Sequence, residues 1–319
     1  MTSSTSSRAP SGSSRVGDTG LDTVTGAFSY SGRAIAAELL ARGRRVRTIT
    51  GHPERAQGEA IEARPLDFDD PRGLVTSLEG STTLFNTYWV RFAHGTMTHE
   101  RAVENTKTLL WAAKQAGVRK VVHVSILHPS TSSPYPYFRG KALCERALTE
   151  SGIAAAVLRP SVLFDEGGVL LNNIAWLLRR FPVFAVGGRG DYRVRPIHVA
   201  DFASLAADAA EWPDDRTVDA VGPDRPTFTE LVREIRDAVG SRSAVVHVPS
   251  PALLLGSRVL GAALRDVLLT RDEYRSMADG LADSTAPPSG PTSLSAWLTA
   301  HGEQLGRTYA SELDRHFRP

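Results

Sequence analysis

Two residues four positions apart, Tyr137 and Lys141, form the clearest chemical pattern in the sequence. On a helix this spacing places both side chains on one face. An ammonium group beside a phenol favours the phenolate and lowers the pKa of the phenol, which suits a proton donor to a developing alkoxide. The pair therefore predicts proton transfer to a carbonyl oxygen during reduction, and its alternative is an exposed helix pair without chemistry.

A second chemical pattern is the glycine-bearing turn Val24-Thr25-Gly26-Ala27-Phe28-Ser29-Tyr30-Ser31-Gly32. Gly26 would let the backbone turn sharply away from a strand. Gly32, which lacks a Cβ, would let a pyrophosphate approach the helix N-terminus, where the dipole favours negative charge. The turn therefore predicts phosphate binding, and a purely structural turn is the alternative.

The elements around this turn support dinucleotide binding. The sequence predicts a short buried strand at 21–25, a second strand at 46–50 and a helix between them at 33–42. A strand, a glycine turn, a helix and a strand within about thirty residues is the context in which such a turn binds a dinucleotide.

Strand and helix patterns alternate along the rest of the first half. Further strands are predicted at 60–66, 82–87, 120–125 and 155–159, and helices at 100–116 and 137–151. This alternation indicates a parallel sheet covered on both faces. Beyond residue 160 the pattern loosens, with helices predicted at 170–180, 199–210 and 227–239 and strands at 192–199 and 245–248.

The turn from Thr25 to Gly32 resembles the T-G-A-x-G-x-x-G loop of the short-chain dehydrogenase/reductase superfamily, in its extended and atypical branches. Within these branches the chain is most similar to NmrA-like proteins and a respiratory complex I accessory subunit, over about residues 21–248. Tyr137 and Lys141 lie one loop after the fifth predicted strand, where the family carries its Y-x-x-x-K motif. Ser29 stands where the family's middle glycine usually lies.

The resemblance implies an α/β fold, a doubly wound parallel (Rossmann) sheet with a smaller C-terminal substrate lobe. We expect a disordered tail at 1–20, a dinucleotide-binding core at 21–160, and a mixed lobe at 161–319 that adds sheet-completing strands and C-terminal helices.

The resemblance also implies which residues border the cofactor. In the family, the acid after the third strand lies beside the adenine of the cofactor, and the backbone after the fourth strand borders its ribose. The backbone after the sixth strand lies against the carboxamide of the nicotinamide. In this sequence the implied cofactor residues are Gly26, Phe28, Ser29, Tyr30, Ser31, Gly32, His52, Arg55, Asp67, Phe68, Asn86, Thr87, Lys141, Pro160 and Val162. The alternatives are that Asp67 caps a helix and that Asn86 only caps a strand.

The resemblance implies a serine that acts with Tyr137 and Lys141 and lies just after the fifth strand. The candidate here is Ser125, at the end of the predicted strand at 120–125. The family's usual serine position corresponds to Ile126, which cannot donate a hydrogen bond. Ser130, Thr131 or Ser132 could substitute, and Ser125 could instead cap the strand end.

The end of the second strand bears on the choice between NADP and NAD. An NAD site usually has an acid there that binds the ribose 2′-hydroxyl, whereas this chain reads Thr50-Gly51-His52-Pro53. His52 or Arg55 could pair with a 2′-phosphate, or both could lie on a solvated turn. We therefore expect NADP, with NAD as the alternative.

The aromatic residues of the expected upper loops would form an apolar pocket for an aromatic or lipid-like substrate, or else pack the lobe; they are Tyr88, Trp89, Phe92, Phe164 and Trp176. The histidines, His99 and His123 among them, lack metal-ligand spacing, so no metal site is expected.

The composition narrows the functional class. The net charge of +2 over 319 residues gives no support to a nucleic-acid or membrane-surface role, and no run is long enough to span a bilayer. Cys144 is the single cysteine, so an intrachain disulfide is excluded and a cytoplasmic location is the default expectation. Scarce lysine and abundant arginine and alanine suggest a bacterial source.

Together these features predict an NAD(P)-dependent oxidoreductase that acts on a small and largely apolar carbonyl compound. The more specific prediction is an NADPH-dependent ketoreductase. The alternative from another class is an NAD(P)-binding sensor or assembly protein without turnover. A sugar-nucleotide epimerase or dehydratase is a third alternative.

Overall fold

The computed structural model describes residues 20–56, 61–93 and 95–311, without the side chain of Arg55. The predicted tail at 1–20 lies outside these residues except for Gly20. The strands are β1 (Leu21–Thr25), β2 (Arg45–Thr50), β3 (Glu62–Pro65), β4 (Ser81–Asn86), β5 (Lys120–Val124), β6 (Ala154–Pro160), β7 (Leu163–Phe164), β8 (Val183–Gly187), β9 (Ile197–His198), β10 (Arg216–Ala220) and β11 (Ala244–Val248).

Helices follow most of the strands. They are α1 (Tyr30–Ala41), α2 (Pro71–Leu78), α3 (His99–Gln115), α4 (Pro136–Ser151), α5 (Val169–Arg180), α6 (Val199–Ala209), α7 (Phe228–Ala238), α8 (Ser250–Leu264), α9 (Arg271–Ala278) and α10 (Leu294–His301), with 3-10 turns at Pro53–Ala56 and Gly302–Gln304.

Seven parallel strands form the central sheet in the order β10-β6-β5-β4-β1-β2-β3. Every residue of β1 and β5 is buried, as strands covered on both faces should be. The predicted α/β fold with a doubly wound parallel sheet is confirmed. The order 3-2-1-4-5-6 within this sheet places a crevice at the carboxyl ends of β1 and β4, where it reverses.

Helices cover both faces of the sheet. On one face α1 packs against α6, and their apolar residues join those of the strands in one core. On the other face α2, α3 and α4 cover a second core. A third core lies in the C-terminal lobe, where α5, α7 and α10 meet.

Local signals explain where the helices of the candidate site begin and end. Thr98 caps α3 by accepting a hydrogen bond from the backbone N–H of Arg101 at 3.1 Å. Pro136 occupies the first position of α4, where a missing N–H costs nothing. Gly152 ends α4 in the left-handed region at φ 69°, which favours glycine.

Two differences from the predicted elements are larger than a shift of a boundary. The predicted strand at 192–199 is wrong in extent, because only Ile197–His198 is a strand and Val199 already begins α6. The backbone N–H of the buried Arg195 in this stretch donates to the carbonyl of Ala282 at 3.0 Å, and its Nε donates to the carbonyl of Gly222 at 2.9 Å, so Arg195 joins loops and does not pair in a sheet.

The other difference concerns elements without a predicted counterpart. The helix α2 begins after Asp70, which accepts a hydrogen bond from the N–H of Gly73 at 3.0 Å. The strand β10 pairs with β6 and adds the seventh strand to the sheet. A division of the chain at residue 160 stays a prediction, and β10 shows that later residues join the same sheet.

Within the described ranges, none of the helices is long and apolar enough to cross a membrane. The same residues contain no group of three or more His, Cys, Asp or Glu side chains placed to hold a metal ion.

Candidate functional site

The crevice between β1 and β4 is held by hydrogen bonds between two threonines. The hydroxyl oxygen of Thr25 accepts from the backbone N–H of Thr87 at 2.7 Å, and the Thr87 hydroxyl donates to the carbonyl of Thr25 at 2.6 Å. These bonds tie together the loops that leave the two strands. The predicted cofactor residue Thr87 therefore lies at the crevice with its hydroxyl engaged by β1.

The glycine turn after β1 has the expected sharp geometry. Gly26 has a φ of 62° and donates its N–H to the carbonyl of Ile49 at 2.9 Å, while Ser29 donates its N–H to the Gly26 carbonyl at 2.8 Å. Helix α1 then begins at Tyr30 with no acidic residue in its first turn. This end of α1 faces the ligand edge of the sheet, as an anion site requires.

The structure corrects the reason given for Gly32. A Cβ at this position would lie 2.2 Å from the carbonyl oxygen of Gly26 and 3.0 Å from Oγ of Ser29. Contact between the helix and its own turn therefore requires glycine here, whether or not a pyrophosphate approaches. Ser29, at the family's middle glycine position, precedes α1 and makes no side-chain capping hydrogen bond.

Other residues of the turn reach outward. The Tyr30 hydroxyl donates to Oδ1 of Asp165 at 2.7 Å, and the same oxygen accepts from the N–H of Gly167 at 2.7 Å. Tyr30 thereby bridges α1 and the loop after β7. Phe28 and Ser31 are partly exposed in the same turn.

The residues predicted to select the 2′-phosphate lie on an exposed turn after β2. Nδ1 of His52 lies 3.2 Å from Oε1 of Glu54, so a carboxylate accompanies the imidazole. The predicted partner Arg55 has its side chain outside the described part of the chain.

Asp67 and Phe68 follow β3. Oδ1 of Asp67 accepts from the backbone N–H of Asp69 at 2.9 Å, so Asp67 makes a local turn. The alternative that Asp67 caps a helix is wrong, because Asp70 caps α2. The ring of Phe68 packs against Tyr88 with centroids 4.8 Å apart.

Asn86 is buried at the end of β4, and both ends of its amide are engaged. Oδ1 accepts from the N–H of Tyr88 at 3.1 Å, and Nδ2 lies 3.1 Å from Nδ1 of His123. Because Nδ2 can only donate, Nδ1 of His123 accepts and its Nε2 carries the hydrogen. Burial, followed by the charge of Lys141, lowers the pKa of His123 to about 3.

Lys141 is brought to the end of β5 and is only 2% exposed. Its Nζ donates to the carbonyl of Val124 at 2.7 Å and lies 4.8 Å from the ring centroid of Trp89. Burial lowers the pKa of this ammonium to about 8. Ser125, the next residue after Val124, is buried, and its Oγ has no partner among the described residues.

Tyr137 lies on α4 one turn before Lys141, as predicted, but its surroundings differ from the expectation. Its ring contacts Trp89 at 5.7 Å and His99 at 5.8 Å between centroids. Burial, reinforced by the charge of Glu273, raises the pKa of the phenol. The predicted lowering of this pKa by Lys141 is therefore wrong, because burial decides the direction and the Lys141 ammonium donates to the carbonyl of Val124.

The other candidate hydroxyls and backbone groups have local partners. The hydroxyls of Ser130 and Ser132 are 2.9 Å apart in an exposed turn, with Thr131 exposed between them. The carbonyl of Pro160 accepts from Leu127 at 3.1 Å. The carbonyl of Val162 likewise accepts from an N–H of β9 at 2.9 Å.

Helix α9 of the C-terminal lobe is joined to the residues around the site by two side-chain hydrogen bonds. Oε1 of Glu273 in α9 accepts from Nε of Arg91 at 2.6 Å. The Tyr135 hydroxyl, just before α4, donates to the carboxylate of Asp279. These two bonds tie α9 and the residue that follows it to the loop after β4 and to the start of α4.

The remaining aromatic residues divide between the two predicted uses. Phe164 packs on Trp297 with centroids 5.6 Å apart, and Trp176 packs on Tyr309 at 5.2 Å, so these two belong to the lobe. Trp89 and Tyr88 lie at the candidate site instead. His99, which no sequence pattern assigned to the site, stacks on Trp89 at 5.8 Å between centroids; its only local signal is its position directly after the cap of α3.

Comparison with known proteins agrees with this geometry. Residues 26–175 match the model of a family described as NAD(P)H-binding. The chain is 25% identical over 244 residues to NADH dehydrogenase [ubiquinone] 1 alpha subcomplex subunit 9 of Arabidopsis thaliana, over 72% of this chain and 60% of that relative. The chain thus spans less than two thirds of that protein.

Two other comparisons cover nearly the whole length of the relative. A 4-hydroxy-2-methyl-3-oxo-4-farnesyl-3,4-dihydroquinoline-1-oxide ketoreductase of Stigmatella aurantiaca is 27% identical over 302 residues, 79% of this chain and 89% of the relative. The NADPH-dependent quinone oxidoreductase QOR2 of Escherichia coli, solved with NADPH, superposes with a TM-score of 0.70 at 23% identity, covering 88% of this chain and 99% of that one. Residues 26–175, which contain the crevice and the glycine turn, thus form an NAD(P)H-binding domain, and the chain takes a nicotinamide dinucleotide as its cofactor.

Proposed function

We propose that the protein is an NADPH-dependent reductase, of the short-chain dehydrogenase/reductase type, for a small and largely apolar carbonyl compound. The observation that carries this proposal is the convergence at the end of β5. There the Lys141 ammonium binds the Val124 carbonyl at 2.7 Å, directly beside the buried and unpartnered hydroxyl of Ser125. An orphaned buried hydroxyl costs free energy unless a ligand satisfies it.

The chain offers residues for each part of the cofactor. The turn from Gly26 to Ser29 and the first turn of α1 would hold the phosphates, and Lys141 would hold the ribose beside the nicotinamide. When bound, NADPH supplies a hydride for the carbonyl carbon of the substrate.

The side chains would act on the substrate's oxygen. Ser125 would donate a hydrogen bond to the carbonyl oxygen and orient it, and Tyr137 would give that oxygen its phenolic proton. The raised pKa keeps Tyr137 protonated at neutral pH, as a proton donor must be. Lys141 would supply positive charge near the developing alkoxide.

A preference for NADPH over NADH is part of the proposal. β2 ends at Thr50 without a carboxylate that could hold a ribose 2′-hydroxyl, and His52 follows on an exposed turn. The carboxylate of Glu54 beside His52 reduces the positive charge available, so we expect a modest preference.

The names of relatives agree with carbonyl or quinone reduction. One relative is named a ketoreductase of a farnesylated dihydroquinoline oxide, and another a quinone oxidoreductase. Both names describe apolar, ring-containing compounds, which fits the aromatic residues Trp89 and Tyr88 at the site.

A second candidate function is NAD(P)H binding without turnover. Two observations favour it: the ring centroid of Trp89 lies 4.8 Å from the Lys141 ammonium, and Ile126 stands at the family's usual serine position. A relative named as an NADH dehydrogenase subunit is consistent with such a role.

Turnover measurements separate the two functions. NADPH oxidation is followed by its absorbance with a panel of quinones and aryl ketones, for the wild type and for Tyr137→Phe. We expect activity in the wild type and a fall of about 10²–10⁴-fold in kcat in the variant, with unchanged NADPH affinity. NADPH binding without oxidation by any compound of the panel would contradict the reductase and favour the binding protein.

A further inference from the structure

Three aromatic rings meet beside Lys141, and two of them carry buried nitrogen atoms without hydrogen-bond partners. The rings of Trp89 and His99 stack with centroids 5.8 Å apart and planes at 19°. Tyr137 contacts both rings edge-on, at 5.7 and 5.8 Å. Nε1 of Trp89 and Nε2 of His99 are each buried and unpaired within the residues that the structure describes.

The protonation of His99 follows from its other hydrogen bond. Its ring is bonded to the backbone of Arg91, and burial lowers its pKa, so the ring is neutral. Because a backbone carbonyl only accepts, the hydrogen lies on Nδ1, and Nε2 presents a lone pair. Trp89 can only donate through Nε1. The stacked rings therefore present one unmet donor and one unmet acceptor.

A hydroxyl group is the smallest substituent that offers both a donor and an acceptor, because it donates one hydrogen and accepts another. A ketone or an ether oxygen could accept from Trp89 but would leave His99 Nε2 unpaired. Both rings also contact Tyr137, the residue that protonates the substrate's carbonyl oxygen in the proposed mechanism.

We propose that Trp89 and His99 select substrates that carry a hydroxyl group on the carbon next to the carbonyl. The hydroxyl donates to Nε2 of His99 and accepts from Nε1 of Trp89, while Ser125 and Tyr137 bind the carbonyl oxygen. This inference rests on the proposed function and names the substrate class of the same site.

Three matched ketones test it: 2-hydroxyacetophenone, 2-methoxyacetophenone, which keeps the oxygen but cannot donate, and acetophenone. For the full chain, kcat/KM with NADPH and Kd with the NADP⁺ complex, by calorimetry, are measured for each ketone. We expect the wild type to favour the hydroxyketone over the methoxyketone by about 10- to 100-fold, because an unpaired buried acceptor remains with the ether.

Two variants of His99 locate this preference. His99→Phe keeps an aromatic ring without the acceptor and should bring the hydroxy-to-methoxy ratio close to one. His99→Gln restores an acceptor oxygen and should recover part of the ratio. NADPH affinity and Tm, measured for both variants, show that the fold and the cofactor site are retained.

The outcomes separate this inference from the proposed function. Equal kcat/KM for the hydroxyketone and the methoxyketone would overturn the inference and leave the reductase standing. If no ketone is reduced, the reductase fails for these compounds, and the ratio of Kd values still decides the inference. A preference that survives in His99→Phe, or no binding of any ketone, would also overturn it.

Discussion

The substitution Gly32→Ala tests why glycine occupies the first turn of α1. The new Cβ would lie 2.2 Å from the carbonyl oxygen of Gly26, more than 1 Å short of ordinary van der Waals contact. That carbonyl cannot yield easily, since Gly26 is held to Ile49 at 2.9 Å and its oxygen accepts from Ser29 at 2.8 Å. The substitution therefore forces the helix away from its turn.

The magnitude follows from two opposing effects. Overpacking typically lowers the free energy of unfolding by about 1–3 kcal/mol. Because the carbonyl of Gly26 is held in place, we expect a loss of about 3 kcal/mol for this contact. Alanine instead of glycine in a helix returns about 1 kcal/mol. The free energy of unfolding should fall by about 2 kcal/mol, which lowers Tm by about 4 °C in a large domain.

Urea unfolding and NADPH fluorescence titration measure the two consequences. Gly51→Ala is the matched control, because a Cβ there meets nothing within 4 Å and lies at the same edge of the sheet. We expect Gly32→Ala to lose both stability and NADPH affinity, and Gly51→Ala to keep its stability. If Gly32→Ala is as stable as the control yet binds NADPH poorly, the glycine serves the pyrophosphate alone and the steric argument is refuted.

Three further results are expected from the same site. Tyr30→Phe removes the hydrogen bond to Asp165 and should speed NADPH dissociation by about 5-fold; an unchanged stopped-flow rate would show that this bridge does not retain the cofactor. Burial lowers the pKa of His123 to about 3, so below about pH 6.5 the unfolded chain binds the extra proton. As the pH is lowered below about 6.5, the free energy of unfolding should therefore decrease by up to about 1.4 kcal/mol per pH unit, and His123→Gln should flatten this slope in urea titrations. Burial lowers the pKa of Lys141 to about 8, so kcat/KM should decline as its positive charge is lost above that pH, and a flat profile up to about pH 9.5 would count against its role.

The central sheet could be predicted because its strands carry their own signal. The buried strands β1 and β5 are continuous stretches between clear turns, and the structure places both at the predicted positions within one residue. β10 carries no such signal, since four of its residues, Arg216–Asp219, are not buried. Its strand conformation depends on pairing with β6, a contact between distant parts of the chain that a local pattern does not contain.

The site was predictable in its residue types and less so in its electrostatics. The spacing of Tyr137 and Lys141 places both on α4, as predicted. The direction of the ammonium depends on the carbonyl of Val124 and the ring of Trp89, which come from other elements. Desolvation decides the direction in which the pKa of Tyr137 shifts. The burial of this side chain depends on residues that are distant in the sequence, so it follows only from the folded chain.

The pairing of β10 with β6 has a consequence for synthesis of the chain on the ribosome. Until residues 216–220 leave the exit tunnel, the outer backbone groups of β6 from Ala156 to Pro160 have no neighbouring strand. An unpaired parallel edge is a template for pairing with other chains. The nascent protein thus passes through an interval in which its nucleotide-binding half has formed six strands with an open flank, and a fragment ending near residue 160 would keep that flank permanently exposed to aggregation.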